Sequence, residues 1–115
     1  MSIAFLPKVR SAALMASAKG QPCAVRLPMV CTFNRAQTVL AHLPGIGKGM
    51  GTKGSDIHAA FACTACHDVI DRRVPQPVHL SDSIILDAML RGLAETQARW
   101  VDMGLLTAKD SATIC

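Results

Sequence analysis

Cys63-Thr64-Ala65-Cys66-His67-Asp68-Val69-Ile70-Asp71-Arg72-Arg73 concentrates more chemistry than any other stretch of the chain. Cys63 and Cys66 have the C-x-x-C spacing that lets two thiolates reach one zinc ion from a tight turn. His67 and Asp71 follow at i and i+4. On a helix those two side chains lie one above the other on a single face, so both can bind one ion. One helix start then does two jobs. Thiols before it hold a structural zinc, and the His67/Asp71 face presents a second divalent metal to a phosphodiester. Arg72 and Arg73 stand beside that face as bidentate phosphate-gripping groups.

Two further cysteines, Cys23 and Cys31, bracket Gln21–Thr32 (QPCAVRLPMVCT). Their C-x7-C separation is wider than the usual zinc knuckle, but a hairpin brings its two ends together. The segment is expected to form a short strand, a turn at Pro28 and a second strand. Together with Cys63 and Cys66 it completes a four-cysteine site. The bland reading, two buried thiols acting as small hydrophobes, leaves the second pair without partners. The chain has five cysteines. An odd number that includes C-x-x-C argues against a disulfide framework and for a reducing, cytoplasmic setting.

Hydrolysis of a phosphodiester also needs a base. Val39-Leu40-Ala41-His42 ends an apolar run just before Pro44-Gly45, which puts His42 at a strand exit facing solvent and substrate. A neutral imidazole suits proton removal from water near neutral pH. Asp56 can hydrogen-bond that imidazole and fix its tautomer. Between them, Gly45–Gly54 (GIGKGMGTKG) carries Lys48 and Lys53 on a glycine-rich loop, suited to a nucleic-acid backbone. Gly49–Gly54 spells G-x-G-x-x-G, but no Rossmann unit fits around it, and Lys48 is not followed by Ser or Thr. Dinucleotide and nucleoside-triphosphate sites are therefore excluded.

These groups need elements to carry them. Arg10–Lys19 reads as an Ala-rich helix ended by Gly20. Asn34–Leu43 and Ser55–Ala62 read as two strands of a hairpin whose loop is the glycine stretch, with Asp56 and His58 turned to one side. A helix from about Ala65 to Arg73 stops at Val74-Pro75-Gln76-Pro77. Ser81 or Ser83 caps a final helix. Its core face is expected to be Leu86, Met89, Leu90, Leu93 and Trp100, and Gly104 ends it. Gly92 inside that pattern costs about 1 kcal/mol relative to Ala.

With 115 residues the chain supports one modest core. It has three Phe, one Trp and no Tyr, so the core is small and aliphatic and gains from a metal staple. Residues 1–9 form a lead-in, 10–104 a single domain and 105–115 a tail ending in an unpaired Cys115. The formal charge is +4. All eight acids lie at or after Asp56, so the front half is purely basic and suggests a polyanion such as DNA. No stretch approaches the roughly 18 apolar residues of a membrane span. Pro7, Lys8 and Arg10 interrupt the apolar start too early for a signal peptide.

The order of parts is that of a ββα-metal finger: strand ending in His42, basic loop, returning strand, thiol turn, helix opening with His67. The chain resembles HNH-type endonucleases, and more closely the small YbcO-like nucleases encoded in lambdoid prophages. GQPCAVRLPMVC, VLAHL, GTKGSDI, ACTACHDVIDRR and ETQARW carry the likeness. It implies an α+β fold, zinc-stapled and HNH-like, with flanking N- and C-terminal helices. It also implies His42 as general base, His67 as metal ligand, DNA as substrate and a phage or prophage origin. Two departures stand out. Ala41 occupies the place where many HNH enzymes carry Asp or His as a ligand. The middle Asn of the signature is missing, so Asp56 or His58 stands in. The catalytic ion, whether Mg, Mn, Ni or Zn, then rests on His67, Asp71 and water, or recruits Asp56 or His58. The rival reading is a zinc-stapled DNA-binding module without catalysis, as monomer or homodimer.

Overall fold

A computed structural model describes residues 8–44 and 54–107. The elements run α1 (Ala12–Ser17), a short 3-10 turn (Arg35–Gln37), β1 (Thr38–His42), β2 (Ala59–Cys63), α2 (Thr64–Ile70) and α3 (Asp82–Asp102). The architecture is a small α+β arrangement around a two-stranded antiparallel sheet. The register pairs Thr38 with Cys63 and His42 with Ala59. The order strand, strand, helix therefore stands as the sequence suggests.

The hairpin is clothed on both faces because its residues alternate. Ala41, Ala60 and Ala62 join Cys66, Val69 and Ile70 of α2, together with Ile85 and Ala88 of α3. Leu40, Ala59 and Phe61 face the other way, to Leu14 and Ala18 on the α1 side and to Trp100. Small alanines on one side let α2 lie close. The Phe61 and Trp100 rings meet edge-to-face, 6.0 Å between centroids and 89° between planes, the arrangement their quadrupoles favour. The Trp100 indole N–H donates to Ser17 Oγ at 2.8 Å, which fastens α1 to α3.

The expected hairpin over Gln21–Thr32 does not form. Residues 20–34 contain turns and no strand. Arg26, Met29 and Phe33 adopt positive φ of 46°, 58° and 55°, which a ladder cannot accommodate. Four carbonyls of this segment go to side chains instead, while Leu27 O takes the amides of Val30 and Cys31. Arg99 donates to Pro22 O at 3.1 Å, Arg26 to Cys23 O at 3.2 Å, Arg91 to Val25 O at 2.5 Å, and His79 pairs with Pro28 O at 2.8 Å. Glu95 ties these arginines together, with Arg26 Nη2 at 2.6 Å and Arg99 Nη2 at 3.7 Å. Hydrogen bonds from Arg26 hold the Glu95 carboxyl below its ordinary value, with burial opposing.

α3 buries a stripe that overlaps only in part with the one its large residues suggest: Trp100 is fully buried and Met89 packs against the core, as expected. The buried positions are Ile85, Ala88, Gly92, Thr96 and Trp100, while Leu86 and Leu90 are 52% and 58% exposed. Main-chain proximity decides this. A Cβ at Gly92 would meet Val25 Cγ2 at 3.0 Å and the Ala24 carbonyl carbon at 3.4 Å, so the helix needs a small residue where segment 24–25 crosses it. Thr96 Oγ1 accepts the Phe61 N–H at 3.0 Å, and Phe61 O accepts from Ala24 N at 2.7 Å. Both outward main-chain groups of Phe61 are thereby satisfied. Ser81 is the N-cap, accepting from Ile84 N at 3.3 Å, and Gly104 follows the helix at φ 75°.

Candidate metal centre and histidine pairs

Cys23, Cys31, Cys63 and Cys66 place their sulfurs within 4.8 Å of one another. All four are free thiols. Ligands about 2.3 Å from a tetrahedral zinc lie about 3.8 Å apart, and Cys31 Sγ stands 3.9 Å from Cys63 Sγ. Each sulfur also faces one main-chain donor. Arg26 N reaches Cys23 at 3.4 Å, Phe33 N reaches Cys31 at 3.4 Å, Cys66 N reaches Cys63 at 3.5 Å and Leu27 N reaches Cys66 at 3.4 Å. Such donors favour the charged form of a thiol. This explains the positive φ at Arg26 and Phe33, because each turn aims an N–H at a sulfur.

The thiol protons are shared unequally. The Cys66 thiol bonded to Cys23 holds Cys23 well below the ordinary thiol value and leaves Cys66 above it. Burial opposes ionisation of Cys63, yet bonds from Thr32 and Cys66 bring it down. Burial pushes Cys31 up. Sulfur donors, spacing and main-chain support all fit a zinc ion. Among the described residues, these cysteines are the one group of three or more metal-capable side chains.

His42 lies at the opposite end of the hairpin. Four steps along the strand separate it from the Thr38–Cys63 pair, a rise of about 13 Å. It is buried, 9% exposed, rather than turned to solvent as its place at a strand exit suggested. His42 Nε2 and Asp56 Oδ1 are 2.7 Å apart. Asp56 is equally buried, and Ser11 N donates to its other oxygen at 2.7 Å. Burial alone would raise the Asp56 carboxyl. The bonds from His42 and Ser11, with the Arg10 charge 3.8 Å away, hold it below the ordinary value. The expected contact between Asp56 and His42 is thus present, but not on a strand. Asp56 and Ile57 form a turn, His58 N bonds to Ser55 O at 3.0 Å, His58 is exposed, and β2 starts only at Ala59.

His67 Nε2 lies 3.3 Å from Asp71 Oδ2 across one helical turn. α2 stops at Ile70, earlier than expected, with Asp71 as C-cap and Arg72 left-handed at φ 58°. Arg72 and Arg73 therefore follow the helix rather than project from it. Arg73 Nη2 reaches Asp71 Oδ2 at 3.3 Å and so shares the carboxylate with His67. Alternation along β1 puts His42 on the Leu40 side of the hairpin, whereas Ala41 faces α2. Lys48, Lys53 and Cys115 lie outside the described residues. The sulfur-directed amides, the Ser11 amide on Asp56 and the role of Arg10 escape residue-type reasoning, since main-chain donors leave no mark in composition.

The comparisons with known proteins agree with one another. The family model described as "Putative nuclease YbcO" matches residues 12–105. "Putative nuclease YbcO" of Escherichia coli (strain K12) is 42% identical over 97 residues, covering 83% of this chain and 97% of the relative. A protein of the same description from Enterobacteria phage 82 matches to the same extent. A solved structure, "Structure of a putative bacteriophage protein from Escherichia coli str. K-12 substr. MG1655", superposes with TM-score 0.62 at 36% identity, over 78% of this chain and 98% of that one. With residues 12–105 matching the family model and relatives 42% identical, the chain belongs to the family described as "Putative nuclease YbcO".

Proposed function

We propose that this protein is an HNH-type, metal-dependent DNA endonuclease, encoded by a phage or prophage and working in the cytoplasm of the host cell. The observation that carries the reading is the buried 2.7 Å contact between His42 Nε2 and Asp56 Oδ1, set apart from the four sulfurs. A neutral imidazole has one N–H. With an ionised Asp56 as partner, that hydrogen sits on Nε2, and the lone pair that can take a proton from water is on Nδ1. As the ring gains its proton, the carboxylate beside it offsets the new charge.

His67 and Asp71 are the ligands we assign to the catalytic ion, with water completing its shell. Mg, Mn, Ni or Zn bound there supplies Lewis-acid stabilisation to the phosphate and the leaving oxygen. His67 and Asp71 would hold the ion, with Arg73 beside the same carboxylate and Arg72 next to it, placed to hold phosphate. Lys48 and Lys53 add positive charge along the strand. The four cysteines hold a structural zinc that fixes where α2 begins.

A second reading has its own support: burial of His42 and the engagement of Asp71 by Arg73 both suit a zinc-stapled DNA-binding module without catalysis. Incubating supercoiled plasmid with purified protein and each of the four ions separates the two. Nicking that disappears in His42→Asn supports the endonuclease. Salt-sensitive binding with no cleavage under any ion supports the module, and undiminished nicking by His42→Asn rules out the assigned base.

A further inference from the structure

The segment just before α1 is not a loose lead-in. Val9 N donates to Ser55 Oγ at 2.9 Å, and Asp56 N donates back to Val9 O at 2.8 Å. Arg10 Nη1 donates to Gly54 O at 2.6 Å and stands 3.8 Å from Asp56 Oδ1. Ser11 N takes the second Asp56 oxygen at 2.7 Å, while its own hydroxyl caps α1 by accepting from Leu14 N at 3.2 Å. Three consecutive residues thus grip three others more than forty positions away, and every grip surrounds one carboxylate.

We propose that Val9–Ser11 is a positioning strap for the proposed base, acting through Asp56. The proposal rests on the reading of His42 given above. Its physical content is orientational. A carboxylate with one occupied oxygen can rotate about its Cβ–Cγ bond and offer either oxygen to a neighbour. With Ser11 N–H on Oδ2, the carboxylate plane is fixed and Oδ1 is left for the imidazole. A fixed Oδ1 selects the Nε2–H tautomer, as a carboxylate does when it orients a ligating or catalytic histidine. α1 supplies the leverage. Leu14 and Ala18 dock it beside Phe61 and Trp100, and the Val9–Ser55 and Arg10–Gly54 bonds bring the amide of its N-cap, Ser11, onto Asp56. Arg10 and Ser55 are therefore positioning residues, neither of them reaching the reacting atoms.

The test is a tautomer measurement, which needs no turnover. Full-length protein labelled with 15N-histidine is compared as wild type, Arg10→Gln, Ser55→Ala and the double variant, with Arg10→Lys as the conservative control. Expected is a His42 ring carrying its hydrogen on Nε2 in wild type and Arg10→Lys. The double variant should show a mixture of both tautomers, with unchanged Trp100 fluorescence reporting that α1 stays docked. In plasmid cleavage, kcat of the double variant should fall about tenfold with KM for DNA unchanged. A wild-type tautomer in the double variant overturns the strap, whatever the activity. A mixed tautomer in a protein that cleaves nothing, wild type included, keeps the strap and removes the nuclease reading.

Discussion

The two ends of the hairpin are organised by opposite means. At the Cys63 end, four thiols and four main-chain amides converge, and the amides come from the turns that carry the cysteines or from the neighbouring Leu27. At the His42 end, one buried carboxylate is oriented by a distant segment of chain, with Ser11 and Asp56 separated by 45 positions. The first arrangement is one that an ion such as zinc can complete, its charge offsetting thiolates held this close. The second depends on α1 being in place. Stability is thus concentrated where chemistry is not proposed, and precision is demanded where it is.

Removing the ion should have the largest effect. Structural zinc in finger peptides contributes about 10–16 kcal/mol of apparent binding energy at neutral pH. One zinc per chain is expected by elemental analysis, lost in Cys66→Ser, and strong chelators should abolish cooperative unfolding. A Cys66→Ser protein that keeps its ion and its melting transition would erase the contrast between the ends. His42→Asn comes next. It should lower cleavage by about 10²–10⁴-fold, the usual range for a general base, with zinc content unaltered. Those two substitutions should therefore fail in different assays.

Thr96→Val probes the wall between the ends. It strands the buried Phe61 N–H, so chemical denaturation should report a loss of about 1–3 kcal/mol. Acid sharpens the comparison further. Asp56 has its folded-state value below that of the unfolded chain, so its stabilisation is complete above the unfolded value of about 4 and disappears as pH falls through the folded one. Asp56→Asn should remove that part of the acid limb of a stability–pH profile and leave the plateau's slope unchanged. Thr38→Val should do least. Its hydroxyl is buried without a hydrogen-bond partner among the described residues, so an isosteric methyl should change stability by less than about 1 kcal/mol, toward greater stability.

Side-chain chemistry was legible in the sequence. C-x-x-C and C-x7-C announced a tetrad, and the contacts His42–Asp56 and His67–Asp71 were each readable, but β1 turns His42 to the face of the hairpin away from α2, which carries His67. Ser81 at the start of α3 and Gly20 after α1 were equally readable. What failed was reading main-chain geometry from side-chain type. Gln21–Thr32 has the apolar residues of strands, yet its amides turn toward sulfur and its carbonyls toward arginine. Leu86 and Leu90 look like core, yet the tight crossing of segment 24–25 gives the inner face to Gly92 and Thr96. The cost assigned to Gly92 as a helix residue is the condition for that crossing.

A hairpin has two rims, and each is a template on which another chain can zip. Here the rim beside Phe61 is sealed in the middle, one group by a threonine of α3 and the other by the amide of Ala24. A foreign strand could add there only by prising away the longest helix of the fold. Backbone pairing is thereby steered toward the other rim, where Thr38, Leu40 and His42 turn their main-chain groups away from β2.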